Sequence, residues 1–199
     1  MDDNLSWNYQ TKEVCNNIAK NIGVLAKLKF LPIPVLRMLY HAFITSTINY
    51  GVIVWGFTTK RNIQKKFLLQ KRAIRLITHS HYLSESAPLF KINNILPIQN
   101  IISLQTCLFM YQCHNQMLPK SLQDYFKMNN SYHSYRTRNC NNYHPPLPRT
   151  LLTKRSVFYF GPIFWNTLPN SFKLCKSLNQ FKRACLRDQT HLNTAFLAL

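Results

Sequence analysis

Acidic residues are almost missing from this chain. Of its 199 residues only six are Asp or Glu, against 25 Lys and Arg, which leaves a net charge of +19. A chain so charged repels itself when compact and attracts polyanions. The six carboxylates are Asp2, Asp3, Glu13, Glu85, Asp124 and Asp188. Only Asp2 and Asp3 are close, and adjacent residues at a terminus are poorly placed to share a metal or a proton. Two-metal phosphoryl transfer needs carboxylates on rigid, partly buried elements, and nothing here supplies them. Glycine is as scarce, four in all. That nearly excludes phosphate-cradling loops, and no P-loop, GxSxG or HExxH occurs.

Paired cysteines are also lacking. The six, at positions 15, 107, 113, 140, 175 and 185, show no CxxC and no regular spacing. The start, MDDNLSWNYQ, is acidic and polar and does not read as a signal peptide, so reduced thiols of an intracellular protein are expected. Three loose groups invite a metal: Cys107, Cys113 and His114; Cys140 with His133 and His144; and His79 with His81. None has the four tightly paired ligands of a structural zinc site. Buried free cysteines and surface histidines account for them, and no cofactor is expected. A long apolar run is missing too. Leu36 to Phe57 comes nearest to a membrane span but carries Arg37, His41 and Asn49, which are costly at the centre of a bilayer.

What is present is an apolar share of 46%, enough for a core in one large domain or two small ones. Trp7 to Leu28 has apolar residues at Val14, Ile18, Ile22, Leu25 and Leu28, the spacing of a first helix. LPIP at Leu31 to Pro34 stops it and opens a second, from about Val35 to Ile48. NYG then marks a turn, and VIVW reads as a short extended or buried segment. Beyond the loop ending at Pro88, a short helix covers Leu89 to Asn94. Leu96 and Pro97 open another to about Asn115, apolar nearly all round and hence central. QMLPKSLQDYF is a turn and a short helix. At Lys127 the composition changes to Asn, Pro and Tyr, which divides the chain into 1–126 and 127–199 unless it is one continuous body. Tyr143 to Thr150 has extended character, Arg155 to Phe160 (RSVFYF) is the best strand, and Gly161-Pro162 turns the chain. A last helix covers about Ser177 to Thr190.

The chain is organised around KRNIQKKFLLQKRAIRLITHS, Lys60 to Ser80. Wound at 100° per residue, it gathers Ile63, Phe67, Ile74 and Ile77 within about 80° and sets Arg61, Lys65 and Arg72 opposite. Val14 to Ser84 contains eleven Lys or Arg and no Asp or Glu. A solvated basic face over a core stripe is one reading, and a phosphate-contacting helix is the other. HSYRTR adds Tyr132, Tyr135, Arg136 and Arg138 on a polar segment, either meeting bases and phosphates or packing its tyrosines on the helical body.

In order and spacing, segments along nearly the whole chain resemble a known family. They are DDNLSW at 2–7, KNIGVLAKLKFLP at 20–32, LYHAFITSTINYGVIVWG at 39–56 and LLQKRAIRLI at 68–77. APLF at 87–90, LFMYQCHNQMLP at 108–119, HSYRTRN at 133–139, FGPIFWNTLP at 160–169 and SLNQFKR at 177–183 follow. Together they look like the C-terminal, thumb and post-thumb part of a reverse transcriptase from a jockey-type non-LTR retrotransposon, an RNA-directed DNA polymerase. In that family the palm, with its metal-binding aspartates in a FADD or YADD core, lies upstream, and no such core is found here. The resemblance implies segments that lie along a template–primer duplex, in a 5′-truncated element that does not polymerise by itself.

The expected architecture is mainly α, a helical bundle with a small β element near residues 143–160. The expected partner is a nucleic-acid duplex held by its backbone. Lys60, Arg61, Lys65, Lys66, Lys71, Arg72 and Arg75 are the expected contacts, with Arg136 and Arg138 secondary. The alternatives are a remnant that needs the missing palm to fold and, from a different class, a basic protein on a membrane surface.

Overall fold

The 3–4 spacing that begins at Val14 becomes the buried stripe of α1, Asn8–Lys27, which covers Val14, Ile18, Ile22 and Leu25. A computed structural model describes residues 7–132, 138–189 and 192 of the chain. It is mainly helical and divides into two units, Met1–Ile101 and Ile102–Leu199. The dividing point falls inside a helix, whereas composition shifts at Lys127.

In the first unit, α2 (Ile33–Tyr40) starts after Pro32, runs through a π turn (His41–Thr45) and ends as α3 (Ser46–Asn49). Pro34 sits in its first turn, where a missing N–H costs nothing. Leu36, Tyr40, Ile44 and Ile48 form its buried edge. The VIVW segment is not extended. Gly51, at φ 61, reverses the chain into a single helical turn, α4 (Val52–Trp55), and Trp55 Nε1 donates to Tyr50 O at 2.8 Å. Next come α5 (Lys60–Ile77), which packs against α1, α2 and α6 (Ser86–Ile92), and the start of α7 (Ile98–His114). Among the described residues no helix is long and apolar enough to cross a membrane.

The second unit contains the rest of α7, then α8 (Lys120–Gln123), α9 (Leu151–Lys154), α10 (Val157–Thr167), α11 (Asn170–Lys173) and α12 (Leu178–Arg187). Its core is aromatic. Tyr111 stacks on Phe181 at 4.7 Å and donates its hydroxyl hydrogen to Cys175 O at 2.7 Å, while the His114 ring lies 5.1 Å from that of Trp165.

The expected β element near 143–160 is corrected here. Residues 157–160 are helical, and the β pairing among the described residues is an isolated antiparallel bridge, Met128 to Tyr143. Asn166 extends that bridge. Its side chain accepts from Tyr143 N at 3.0 Å and donates to Tyr143 O at 2.8 Å, as a neighbouring strand would. Strand propensity is a weak preference that burial overrides. Val157–Thr167 buries Phe160, Phe164 and Trp165 in a helix, and among the described residues no second strand lies alongside to pair with it. Gly161 and Pro162 do not turn the chain but lie inside α10. Gly161 marks a close approach: a Cβ there would meet Met110 Sδ at 2.7 Å.

The shortage of glycine shows at the helix ends. α5, α6 and α7 all close with the paired bonds of a Schellman motif. Ser80 N bonds to Arg75 O and His79 N to Leu76 O; Ile95 N to Phe90 O and Asn94 N to Lys91 O; Met117 N to Gln112 O and Gln116 N to Cys113 O. The left-handed residue that glycine usually supplies is His79, Asn94 or Gln116, at φ 52, 53 and 56. Histidine and asparagine tolerate this region better than glutamine does. Gln116→Gly is therefore expected to raise the stability of the protein by up to about 1 kcal/mol. A denaturant midpoint that does not move, or falls, would count against a strained cap at Gln116.

Candidate nucleic-acid interface

Three polar side chains four residues apart on α5 are buried, and they fix which way the helix faces. Asn62 Nδ2 donates to Asn8 Oδ1 at 3.0 Å and to Thr58 Oγ1 at 3.3 Å. Lys66 Nζ donates to Thr11 Oγ1 at 3.2 Å and stands 3.8 Å from the centroid of the Trp55 ring. Gln70 donates to Tyr40 Oη at 3.0 Å and Leu96 O at 2.8 Å, and accepts from Ile98 N at 2.9 Å. A buried amide left without partners costs about 1–3 kcal/mol, so each of these bonds opposes rotation of α5 about its axis. Ile63, Ala73, Ile74 and Ile77 fill the rest of the buried arc.

Lys66 must therefore be taken off the list of expected phosphate contacts. It has no exposed surface, because it lies about 20° around the helix from Ile77, inside the apolar stripe and not opposite it. Burial lowers its pKa to about 8. Cys15, half-buried nearby, has its thiol pKa raised by burial against the opposing influence of Lys66 and Lys65. With the folded pKa below the unfolded one, Lys66 weighs against folding fully below pH 8. That penalty fades as pH rises from about 8 to the ordinary lysine value of 10.5. Measured against Lys66→Met, the unsubstituted protein is expected to gain stability across that window. Parallel stability curves from pH 7.5 to 10.5 would show that Lys66 is not held in this environment.

The opposite arc of α5 is open. Lys60, Arg61, Lys65 and Arg72 are exposed, and Arg61, Lys65 and Arg72 lie within about 40° of one another. From Arg61 to Arg72 the line is about 16 Å long, roughly half a turn of duplex. Thr59 caps the helix, its Oγ1 accepting from Asn62 N, and no acid occupies the first turn, so the positive helix end adds to Lys60 and Arg61. Lys71 and Arg75 are half-buried. Lys71 Nζ lies 4.4 Å from the Phe67 ring centroid, and Arg75 Nε donates to Ser84 O at 2.8 Å. Arg138 is exposed in the second unit, and Arg136 lies outside the described residues.

Two basic features, one in each unit, escaped the sequence reading. Lys29 and Tyr82 join Arg72 and Arg75 around a pocket of about 560 Å³, completed by Ala26, Leu76 and Ser80. Only the packing of α1 on α5 brings Lys29 there, so no local spacing announces it. In the second unit, α12 buries Phe181 and Cys185 and exposes Lys182, Arg183 and Arg187. That basic face was readable in FKRACLR. Among the described residues no group of three or more His, Cys, Asp or Glu is placed to hold a metal ion.

No protein-family model, curated protein or solved structure matches the chain. The chemistry of the α5 face therefore stands on its own geometry. It offers a row of cations on a rigid helix, suited to an extended polyanion.

Proposed function

We propose that this chain binds the backbone of a nucleic-acid duplex through α5, without sequence preference and without catalysis of its own. The observation that carries the reading is the exposed line Arg61, Lys65 and Arg72, set opposite a buried polar stripe and free of acids along Val14 to Ser84. Flexible surface cations usually meet neighbouring carboxylates, and here the intervening sequence provides none. Point charges on a helix recognise phosphate but not base identity. The ordered resemblance to the thumb and post-thumb part of jockey-type reverse transcriptases supports an RNA–DNA hybrid as the duplex to test first. In that reading, polymerisation belongs to a palm supplied by another polypeptide segment.

The test is affinity for a blunt RNA–DNA hybrid across a salt series, with Arg61, Lys65 and Arg72 changed together to Ala. Each phosphate contact contributes about one unit to the slope of log affinity against log salt, so the triple variant is expected to lose about three. Equal slopes would move the contacts away from α5. Absence of binding by the folded protein would remove the proposal altogether.

A second reading is favoured by one observation. Phe30 and Met38 are 80% and 70% exposed, and Ile33 and Val35 are exposed as well, so apolar side chains meet solvent at and beside α2. A remnant that needs a missing palm to fold would present such a surface. In that case the purified chain would bind a hydrophobic dye strongly at neutral pH, and its hybrid binding would depend on Arg61, Lys65 and Arg72 no more than on its other cations.

A further inference from the structure

We propose that the pocket between the end of α1 and the end of α5 holds one unpaired nucleotide of a nucleic-acid strand. Its phosphate would lie against Lys29, Arg72 and Arg75, and its base against Tyr82 and Leu76. This inference rests on the duplex-binding reading of α5 and adds to it a site that distinguishes strand ends and gaps from continuous duplex.

The lining joins the two chemistries that a nucleotide needs. Three cations border the pocket with no carboxylate among them, and Ala26, Leu76 and the Tyr82 ring supply apolar and aromatic surface. Arg72 and Arg75 are three residues apart and so share one side of α5, with Leu76 one turn beyond Arg72. Arg75 is already positioned. Its Nε is engaged by Ser84 O at 2.8 Å, and the remaining guanidinium donors suit phosphate oxygens. At about 560 Å³ the pocket lies within the usual range of small-molecule sites.

The loop that carries Tyr82 is built and not merely tethered. Ser80 N and His79 N close the end of α5, and Thr78 Oγ1 shares a hydrogen bond with Ser80 Oγ at 2.8 Å. Ser84 N bonds to His81 O at 3.0 Å, and Ser84 O receives Arg75. On this loop Tyr82 is 73% exposed, its ring 4.7 Å from that of His81. An open aromatic ring on a hydrogen-bonded loop beside three cations suits a stacking platform. A base inside a duplex has both faces covered by its neighbours and a terminal pair has one face open, whereas an unpaired base can leave the stack and enter a pocket beside the ring. The phosphates of the adjoining duplex then continue along Arg72, Lys65 and Arg61. Arg72 belongs to both surfaces.

The test compares a blunt RNA–DNA hybrid with the same hybrid carrying one unpaired nucleotide at either end, for the native protein, Tyr82→Ala and Tyr82→Phe. The overhang is expected to tighten binding at least about fivefold. Tyr82→Ala should remove that gain while leaving blunt-hybrid affinity unchanged, and Tyr82→Phe should keep it. Equal affinity of the native protein for both hybrids would overturn the pocket while the α5 face stands. A gain that survives Tyr82→Ala would place the unpaired nucleotide elsewhere and also overturn it. Saturable, Tyr82-dependent binding of a free nucleoside monophosphate without any overhang preference would assign the pocket to free nucleotides and sink the strand proposal. Failure of the wider reading looks different, because neither hybrid would then bind.

Discussion

The first unit depends on a buried polar stripe. Asn62, Lys66 and Gln70 project from one side of α5 and find partners on α1, on α2, and at Leu96 and Ile98. Apolar contacts alone would let a helix of this kind slide or rotate at small cost, since one Leu or Ile packs about as well as another. Hydrogen bonds to specific atoms do not allow that. A rotation that carried Gln70 away would leave Leu96 O and Ile98 N with a broken bond each, and would bring Arg72 towards the core. The polar stripe therefore aims the basic face as well as holding the helix.

Lys66 shows the cost of that arrangement. A lysine with no exposed surface must give up water, and one hydroxyl and one indole ring replace it incompletely, which is why its pKa falls. Methionine or leucine at the same position would fill similar space without the penalty. What lysine adds is a demand for Thr11 and Trp55 together, and so a single register between α1, α4 and α5. The arrangement exchanges stability for definition, as buried polar groups do elsewhere.

Much of the helical order was legible in the sequence because it rests on local period: α1 from Val14 to Leu25, α5 from its long unbroken run, α12 from FKRACLR. What was not legible depended on partners. VIVW and RSVFYF have the composition of strands, yet among the described residues no neighbouring strand is found for them, and helical burial of Trp55, Phe160 and Trp165 decides their form. Gly161-Pro162 looked like a turn because the close approach of Met110 is invisible before α7 and α10 are packed. Lys66 is a different case. The helical wheel already placed it beside Ile77, but its charge was taken as a sign of exposure. Of the surface assembled at the end of α5, Arg72 and Arg75 were readable as basic residues; Lys29, remote in sequence, and Tyr82, on the loop after the helix, were not.

The scarcity of acids links binding to stability. Exposed cations on α5, unrelieved by carboxylates from Val14 to Ser84, repel one another in the free protein and weaken the compact state. A bound polyanion removes that repulsion, and any ligand that binds only the folded state stabilises it in proportion to the logarithm of its concentration over its dissociation constant. Salt acts on the same charges in two opposite ways. It screens the repulsion within the protein, and it weakens the attraction to phosphate through loss of counterion release. A basic surface without acids is thus a poor feature of a chain that stays free, and a favourable one in a chain that spends its folded life against nucleic acid. The same charges that strain the isolated fold are the ones whose relief would drive the proposed complex.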